Sequence, residues 1–351
     1  MARALRAINQ ALLELQREDW QEELFDSRQI LPERLLGCLH LFTGAVGEEL
    51  ATQPTLMQRQ PLLMEFYFDV LQWLRVAECF DEDFHLELSR GSGKQSLVVR
   101  LNCLDATRLL VDRQQAVHAA VVFSATLSPP DWMRTLLGLT EDAVCRRIDS
   151  PFDAQQFQVS ISTAIDTRYR QRQASMGGLT DLIEQWLAQS RGNCIVYFPS
   201  YRYMQDCLEG LQLPMGLQLW QQVSDQAAET REELLHLLSV RRDVAAFCIL
   251  GGVFGEGIDL PGDQLASVVV VGVGLPQVNR DREQLRQWYQ QRYGAGFEFA
   301  YLYPGMQKVN QALGRVIRTH QDQGTALLID SRYSVQDYRD LLPRQWSYDL
   351  S

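Results

Sequence analysis

The chain has 351 residues, with 33 basic and 44 acidic side chains and a formal net charge of -11. That length gives room for two domains, each with its own core, and the acidic balance excludes a protein that coats nucleic acid through bulk charge, so any such contact must be local. Only Lys94 and Lys308 are lysines, and the sole Gly-Lys pair, Gly93 and Lys94, is followed by Gln95 rather than Ser or Thr, which rules out a phosphate-binding P-loop here.

In chain order, the opening stretch MARALRAINQALLELQ is amphipathic and too polar for a signal peptide or a membrane span, and no later run has the roughly 18 apolar residues that a span needs. A cytoplasmic protein without membrane contact is expected. Residues 3 to 80 show apolar side chains at three- and four-residue spacing in LRAINQALLELQ, LLGCLHLFTGAVGEEL and LLMEFYFDVLQWLRVAECF, which predicts a helical region. Periodicity then changes in DEDFHLELSRGSGKQSLVVRLNCLD, where two extended runs flank a Gly-Ser-Gly turn and predict a β-hairpin. Its Asp81–His85 start has the look of a metal-binding DExH box but precedes a strand instead of following one, so an exposed acidic loop is expected.

From Val121 onward, the apolar runs VVFSATL, FQVSIST, NCIVYF, AAFCIL, LASVVVVGV and TALLID alternate with helical segments such as GGLTDLIEQWLAQS and REELLHLLSV. That pattern predicts an α/β fold with a parallel sheet covered on both faces. The polar stretch DTRYRQRQASMGG, ending in Gly177 and Gly178, reads as a flexible loop. Cys38, Cys79, Cys103, Cys145, Cys194, Cys207 and Cys248 contain no CxxC pair, so no metal site is expected from them and buried reduced thiols are.

Ligands of open α/β sheets gather at the carboxyl ends of the strands, and three such ends are chemically distinctive. One run ends in Ser124 and Thr126, whose hydroxyls can exchange hydrogen-bond partners. A second turns through Ser200 and Tyr201 into a helix. The third enters GGVFGEGIDLPG, where Gly255, Glu256, Gly257 and Asp259 combine approachable backbone N–H groups with acidic side chains; this suits a ribose or a phosphodiester, with an ordinary glycine turn as the alternative. Its spacing lacks the GxGxxG order of a dinucleotide site. Near the C-terminus, QALGRVIRTH read as one helix at about 100° per residue places Gln311, Arg315 and Arg318 on one face and Val309, Leu313 and Val316 on the other. A solvated arginine face is the plain alternative. Gly314 costs such a helix about 1 kcal/mol relative to Ala and suggests the close passage of another backbone or of a ligand.

Taken in order, VVFSATLSP, CIVYFPSYRYM, GGVFGEGIDLPG and QALGRVIRTHQDQGTALLIDSRY resemble the third to sixth motifs of the XPD/DinG family of superfamily 2 DNA helicases, over roughly residues 84–346. LNCLDATRLL, VVVVGVGLPQVNRD and YRDLLPRQW fit the same pattern, although Gln277 and Val278 replace the proline-rich continuation after GLP. The resemblance implies a RecA-like second motor lobe at 151–351, the returning end of the first lobe at 83–150 and a helical arch-like region at 1–82. It implies catalytic roles for Arg315, Arg318 and Gln311, nucleotide or coupling roles for Gly257, Asp259, Glu256, Ser124 and Thr126, and DNA contacts through Ser200, Tyr201 and Gly255. The P-loop, the magnesium- and ATP-holding residues and the iron–sulfur cysteines of the family belong to a first-lobe segment that this sequence lacks. The expectation is therefore one portion of a 5′ to 3′ ATP-dependent helicase, inactive as an ATPase by itself, whose partners are single-stranded DNA and the P-loop lobe. A degenerate, non-catalytic lobe serving as a DNA- or protein-binding adaptor is the alternative.

Overall fold

The structure is a computed structural model that describes every residue except 20–24, 91–96, 224–226, 253, 255–259 and 351, and the side chains of all described residues but 18, 19, 25, 26 and 227–230. Contacts divide the chain into two compact units, Met1–Ala119 with Leu136–Gly138, and Ala120–Thr135 with Leu139–Ser351.

The first unit contains the helices α1 (Ala2–Asp19), α2 (Glu33–Thr52), α3 (Leu56–Arg59), α4 (Pro61–Ala77) and α5 (Thr107–Gln115). Ile8, Ala11 and Leu15 of α1 meet Leu35, Leu39, Phe42 and Val46 of α2 and Met64, Val70 and Leu74 of α4 in one apolar core. The three- and four-residue spacing of these side chains puts them on one stripe of each helix. Strands β1 (Phe25–Arg28), β2 (Phe84–Arg90) and β3 (Leu97–Cys103) form an antiparallel sheet. The register from Phe84 opposite Cys103 to Arg90 opposite Leu97 makes β2 and β3 the expected hairpin, while the Gly-Ser-Gly turn lies outside the described residues. Asp81–His85 is not an exposed acidic loop throughout. Asp81 Oδ1 accepts the Asp83 N–H at 3.0 Å, its carboxylate pairs with Arg108, and Asp83 and Phe84 are buried, because the segment is the tight entry into β2.

The second unit is built on a seven-stranded parallel sheet of β4 (Phe157–Ser162), β5 (Cys194–Phe198), β6 (Gln218–Gln221), β7 (Val244–Ile249), β8 (Ser267–Val271), β9 (Gly324–Ile329) and β10 (Ser347–Leu350), in the order β10-β4-β9-β8-β5-β7-β6. Successive side chains of a strand point to opposite faces, and here both faces are apolar. Ile195, Tyr197, Ala246, Val268, Val270 and Leu328 enter one core, whereas Val196, Phe198, Phe247, Val269, Val271 and Ile329 enter the other. Helices α9 (Ala227–Val240) and α11 (Tyr303–Leu313) cover the first face through Leu234, Leu238, Met306 and Val309. Helices α7 (Arg172–Gln189) and α8 (Tyr201–Gly210) cover the second through Leu179, Ile183, Tyr203 and Met204. The helices α6 (Pro130–Leu136), α10 (Arg280–Tyr293) and α12 (Gln336–Arg339) complete the chain. This is the α/β fold with a parallel sheet covered on both faces that the apolar runs predict.

Two local expectations are corrected. Gly177 and Gly178 lie inside α7 and not in a loop; a Cβ at Gly178 would come within 3.0 Å of the Ile165 side chain, so tertiary packing overrides the weak helix propensity of the pair. The run VVFSATL forms no strand. Val121 and Phe123 are 85% and 88% exposed, and no strand among the described residues lies beside them. A strand exists only where a neighbour takes its backbone hydrogen bonds.

Candidate functional site

All strands of the second unit run in the same direction, so their carboxyl ends share one edge. After β5 the chain turns at Ser200, the N-cap of α8, whose Oγ accepts the Tyr203 N–H. Tyr201, next in line, accepts a 2.8 Å hydrogen bond on its hydroxyl from Gln222 Nε2. The same Gln222 offers Oε1 to the Ile249 N–H at 2.8 Å, and its own N–H donates to Phe247 O at 2.9 Å. One buried glutamine after β6 thereby ties the Ser200–Tyr201 turn to the end of β7, where the glycine segment begins. Sequence reasoning had no signal for Gln222, because its role depends on contacts 21 and 27 residues away.

Gly251 follows β7 with φ +75°, and a Cβ there would lie 2.6 Å from the Lys308 side chain. Glycine is thus required both by the backbone angle and by the lysine stem lying over it. Gly255, Glu256, Gly257 and Asp259 lie outside the described residues. Phe254, within the same segment, is buried against Trp220 with ring centroids 5.4 Å apart, and its carbonyl accepts a 2.9 Å hydrogen bond from the Tyr197 hydroxyl. Burial pushes the Tyr197 phenol far up, and the Arg315 guanidinium opposes that shift. Arg315 is therefore within electrostatic reach of the tyrosine that bonds the Phe254 carbonyl. Tyr197 is a second residue that the sequence reading missed.

The arginine segment differs from its expected form. Helix α11 ends at Leu313, and Arg315 and Val316 continue in tight turns that bond back to Ala312 and Leu313. Gln311 is on the helix, but Arg315 and Arg318 lie beyond it, so the angular placement of all three on one helical face does not hold. Gly314 has φ -67°, and the atoms nearest to an added Cβ are the preceding Asn310 and Gln311 carbonyls, the closer at 3.3 Å. The glycine is a helix terminator rather than the mark of a second backbone. The reason is Asp322, whose Oδ2 accepts the N–H groups of Arg318 and Thr319, both at 2.8 Å, while Oδ1 accepts Thr319 Oγ1 at 2.6 Å. Burial pushes the Asp322 carboxyl up, but these hydrogen bonds outweigh it and hold the group below the ordinary carboxylate range. Gln156 Nε2 donates to Thr319 O and Asp322 O just before β4. The Arg318 turn consequently sits at the amino ends of β4 and β9, away from the carboxyl edge that carries Ser200 and Tyr201.

Ser124 and Thr126 form their own small turn, with the Thr126 N–H donating to Ser124 Oγ at 3.2 Å. Gln307 Nε2, on α11, donates to the Thr126 carbonyl at 3.1 Å, and Trp132 of α6 packs on Tyr303 of α11 with ring centroids 5.2 Å apart. Gln307 and Gln311 are four residues apart and share a helix face. The structure thus joins Ser124 and Thr126 to the helix that carries Gln311.

Comparison with known proteins follows the same lines. Residues 183–349 match the family described as Helicase C-terminal domain. That stretch of the second unit is thus similar to a helicase C-terminal domain. The chain is 23% identical over 233 residues to the ATP-dependent DNA helicase XPD of Sulfolobus acidocaldarius, covering 64% of this chain and 40% of that protein. It is 24% identical over 275 residues to a regulator of telomere elongation helicase 1 homolog of Drosophila sechellia, covering 69% of this chain and 28% of that one. The chain thus spans less than half the length of these relatives. Among solved structures, an XPD helicase superposes with a TM-score of 0.62 at 19% identity, over 99% of this chain and 62% of the other. Xpd4 of S. tokodaii superposes with a TM-score of 0.58 at 14% identity, over 99% and 70%. No helix among the described residues is long and apolar enough to cross a membrane.

Proposed function

We propose that this chain is the closing half of an ATP-dependent DNA helicase motor, with residues 151–351 as its second lobe, 83–150 as the returning end of the first lobe and 1–82 as the arch-like region. Its partner is a P-loop segment that holds ATP and magnesium. The observation that carries this reading is the exposed run 121–124, a sequence of strand type that ends in Ser124 and has no neighbouring strand among the described residues. A second stretch without helix or strand, 144–149, is likewise exposed, with Ile148 90% accessible. Two such segments fit a RecA-like sheet whose remaining strands come from elsewhere.

Hydrolysis of ATP spreads charge over the transferred phosphoryl oxygens, and an arginine delivered across a cleft lowers the barrier, by about 10³- to 10⁵-fold in rate. Arg315 and Arg318 fill that role in this reading, and Gln311 senses the γ-phosphate. Gly257, Asp259 and Glu256 face nucleotide and strand, while Ser200, Tyr201 and Gly255 contact the DNA backbone, which carries no base code. Ser124 and Thr126 couple the two events, supported by the Gln307 hydrogen bond that fastens them to α11. Repeated closure moves the lobes along single-stranded DNA, 5′ to 3′ as the family resemblance implies. The cysteines of this chain do not fit an iron–sulfur cluster. Cys194 and Cys207 are buried in the sheet core with thiols pushed up to about 12 by burial, whereas Cys103 and Cys145 are exposed and not buried as expected; in this reading any cluster belongs to the P-loop segment.

The test is turnover. The 351-residue chain alone hydrolyses no ATP. In the complete helicase, Arg315→Ala and Arg318→Ala each lower kcat by about 10³-fold or more with single-strand affinity retained. Normal turnover in both variants refutes the arginine assignment.

A further inference from the structure

The segment that follows β4, read from sequence as a loop, is a hydrogen-bonded turn leading into α7, built around a guanidinium that has no carboxylate partner among the described residues. Its base is a buried network. Thr167 Oγ1 donates to Asp330, which also receives Nε and Nη2 of Arg332, both at 2.8 Å. Asp166 holds the next residue twice, accepting the Arg168 N–H on Oδ1 and Arg168 Nη1 on Oδ2, each at 3.0 Å. Arg172 then folds back and donates Nε to Thr167 O at 3.0 Å.

Arg168 and Arg332 each have a carboxylate, but Arg172 does not. Its guanidinium carbon lies 4.4 Å from the Tyr203 ring centroid and 5.7 Å from that of Tyr169. Burial lowers its pKa, the Tyr203 hydroxyl opposes that, and the like charge of Arg332 lowers it further. Asp206 acts on it only through space, and among the described residues its Nη atoms make no hydrogen bond within the protein. A half-buried guanidinium with fixed direction and unused donors is a site for an anionic oxygen pair. Tyr169 is 81% exposed and presents a bare aromatic ring beside it. Arg170 and Arg202 are exposed nearby in sequence and on the first turn of α8. Because Arg172 stacks on Tyr203 of α8, this group continues directly from Ser200 and Tyr201, the residues read above as backbone contacts.

We propose that the turn 166–172 is a single-strand contact in which Tyr169 stacks a nucleobase and Arg172 binds the adjoining phosphate, and that it extends the strand path from α8 to the end of β4. The inference rests on the lobe reading of Proposed function. An acidic peptide would use the guanidinium but not the ring, and the paired presence of both favours a polynucleotide. Contacts of this kind are indifferent to base identity, since every base has a stacking face.

The experiment is fluorescence anisotropy of labelled oligothymidylate with the full chain across a salt series, alongside thermal melts of each variant. Tyr169→Ala is expected to weaken binding by roughly 5- to 150-fold, the range for one stacked base, while Tyr169→Phe binds as the parent does. The ring is exposed, so both variants melt with the parent. Arg172→Gln is expected to reduce the slope of log affinity against log salt by about 0.7, one phosphate contact on a single strand, and Arg172→Lys to restore it. Equal affinity for Tyr169→Ala and the parent, or an unchanged salt slope in Arg172→Gln, overturns the proposal. So does oligoglutamate that displaces the strand equally from the parent and from Tyr169→Ala, which marks an acidic protein partner. Those failures leave the turnover test of Arg315 and Arg318 untouched, so the two readings fall separately.

Discussion

Strand β8 and the run 121–124 have nearly the same character, SVVVV against VVFS, and they end in opposite states. Val268 to Val271 are fully buried between β5 and β9, whereas Val121 and Phe123 lie open to solvent. Side-chain preference alone does not make a strand, because the unpaired N–H and C=O groups must find partners, and strand propensity is itself a measure of fit to a half-buried surface. The contrast points to a sheet that some other segment supplies.

Joining the partner is therefore expected to give the largest effect. In the complete helicase, backbone amides of 121–124 should exchange with solvent slower than in this chain alone by on the order of 10³-fold or more, since strands in a stable sheet are protected by several kcal/mol. Hydrogen-exchange mass spectrometry on both samples measures it. Equal, rapid exchange in the two would break the comparison and with it the partner-sheet reading. A smaller contrast follows from substitution in this chain. Val269→Ala opens the β8 core and should cost about 2–3 kcal/mol, whereas Phe123→Ser removes an exposed ring and should stay within about 0.5 kcal/mol. Urea unfolding of the second unit reports both values, and a large loss for Phe123→Ser would show that the run is packed after all.

The same contrast marks what was legible. Strands β5, β7, β8 and β9 announce themselves as apolar runs, because a parallel strand covered on both faces carries no polar alternation, while β4, FQVSIS, shows itself by alternation of apolar and polar residues. Strands β6, QLWQ, and β10, SYDL, are edge strands with few buried side chains, so nothing in their composition separates them from loops. The helix carrying Gln311 was legible in period but not in extent. Asp322, four residues beyond Arg318, captures the backbone that a continuing helix would use, and such local competition is invisible to an angular projection. Motifs nominated candidate residues; Gln222 and Tyr197 were not among them, since their meaning lies in the partners that folding brings to them. The Thr167–Asp330 contact, across 163 residues, is of the same kind.

A modest loss is expected where a paired strand is delivered to the sheet. Asp322 closes the turn before β9 as an anion, taking two backbone N–H groups and the Thr319 hydroxyl, and its carboxyl is held below the ordinary range in the folded chain. A group depressed on folding contributes stability above its unfolded pKa of about 3.9 and loses that contribution as pH falls through the lower folded value. Asp322→Asn keeps the shape but replaces one acceptor oxygen with an N–H₂ donor facing donors, at a cost on the order of 1 kcal/mol near neutrality. The difference in melting temperature between parent and variant should accordingly be constant from neutral pH down to about 4 and shrink below it. A difference that stays constant into strong acid would mean that the charge of Asp322 does not hold the turn, and that the entry to β9 is fixed by the packing of Val316 and Gly324 instead.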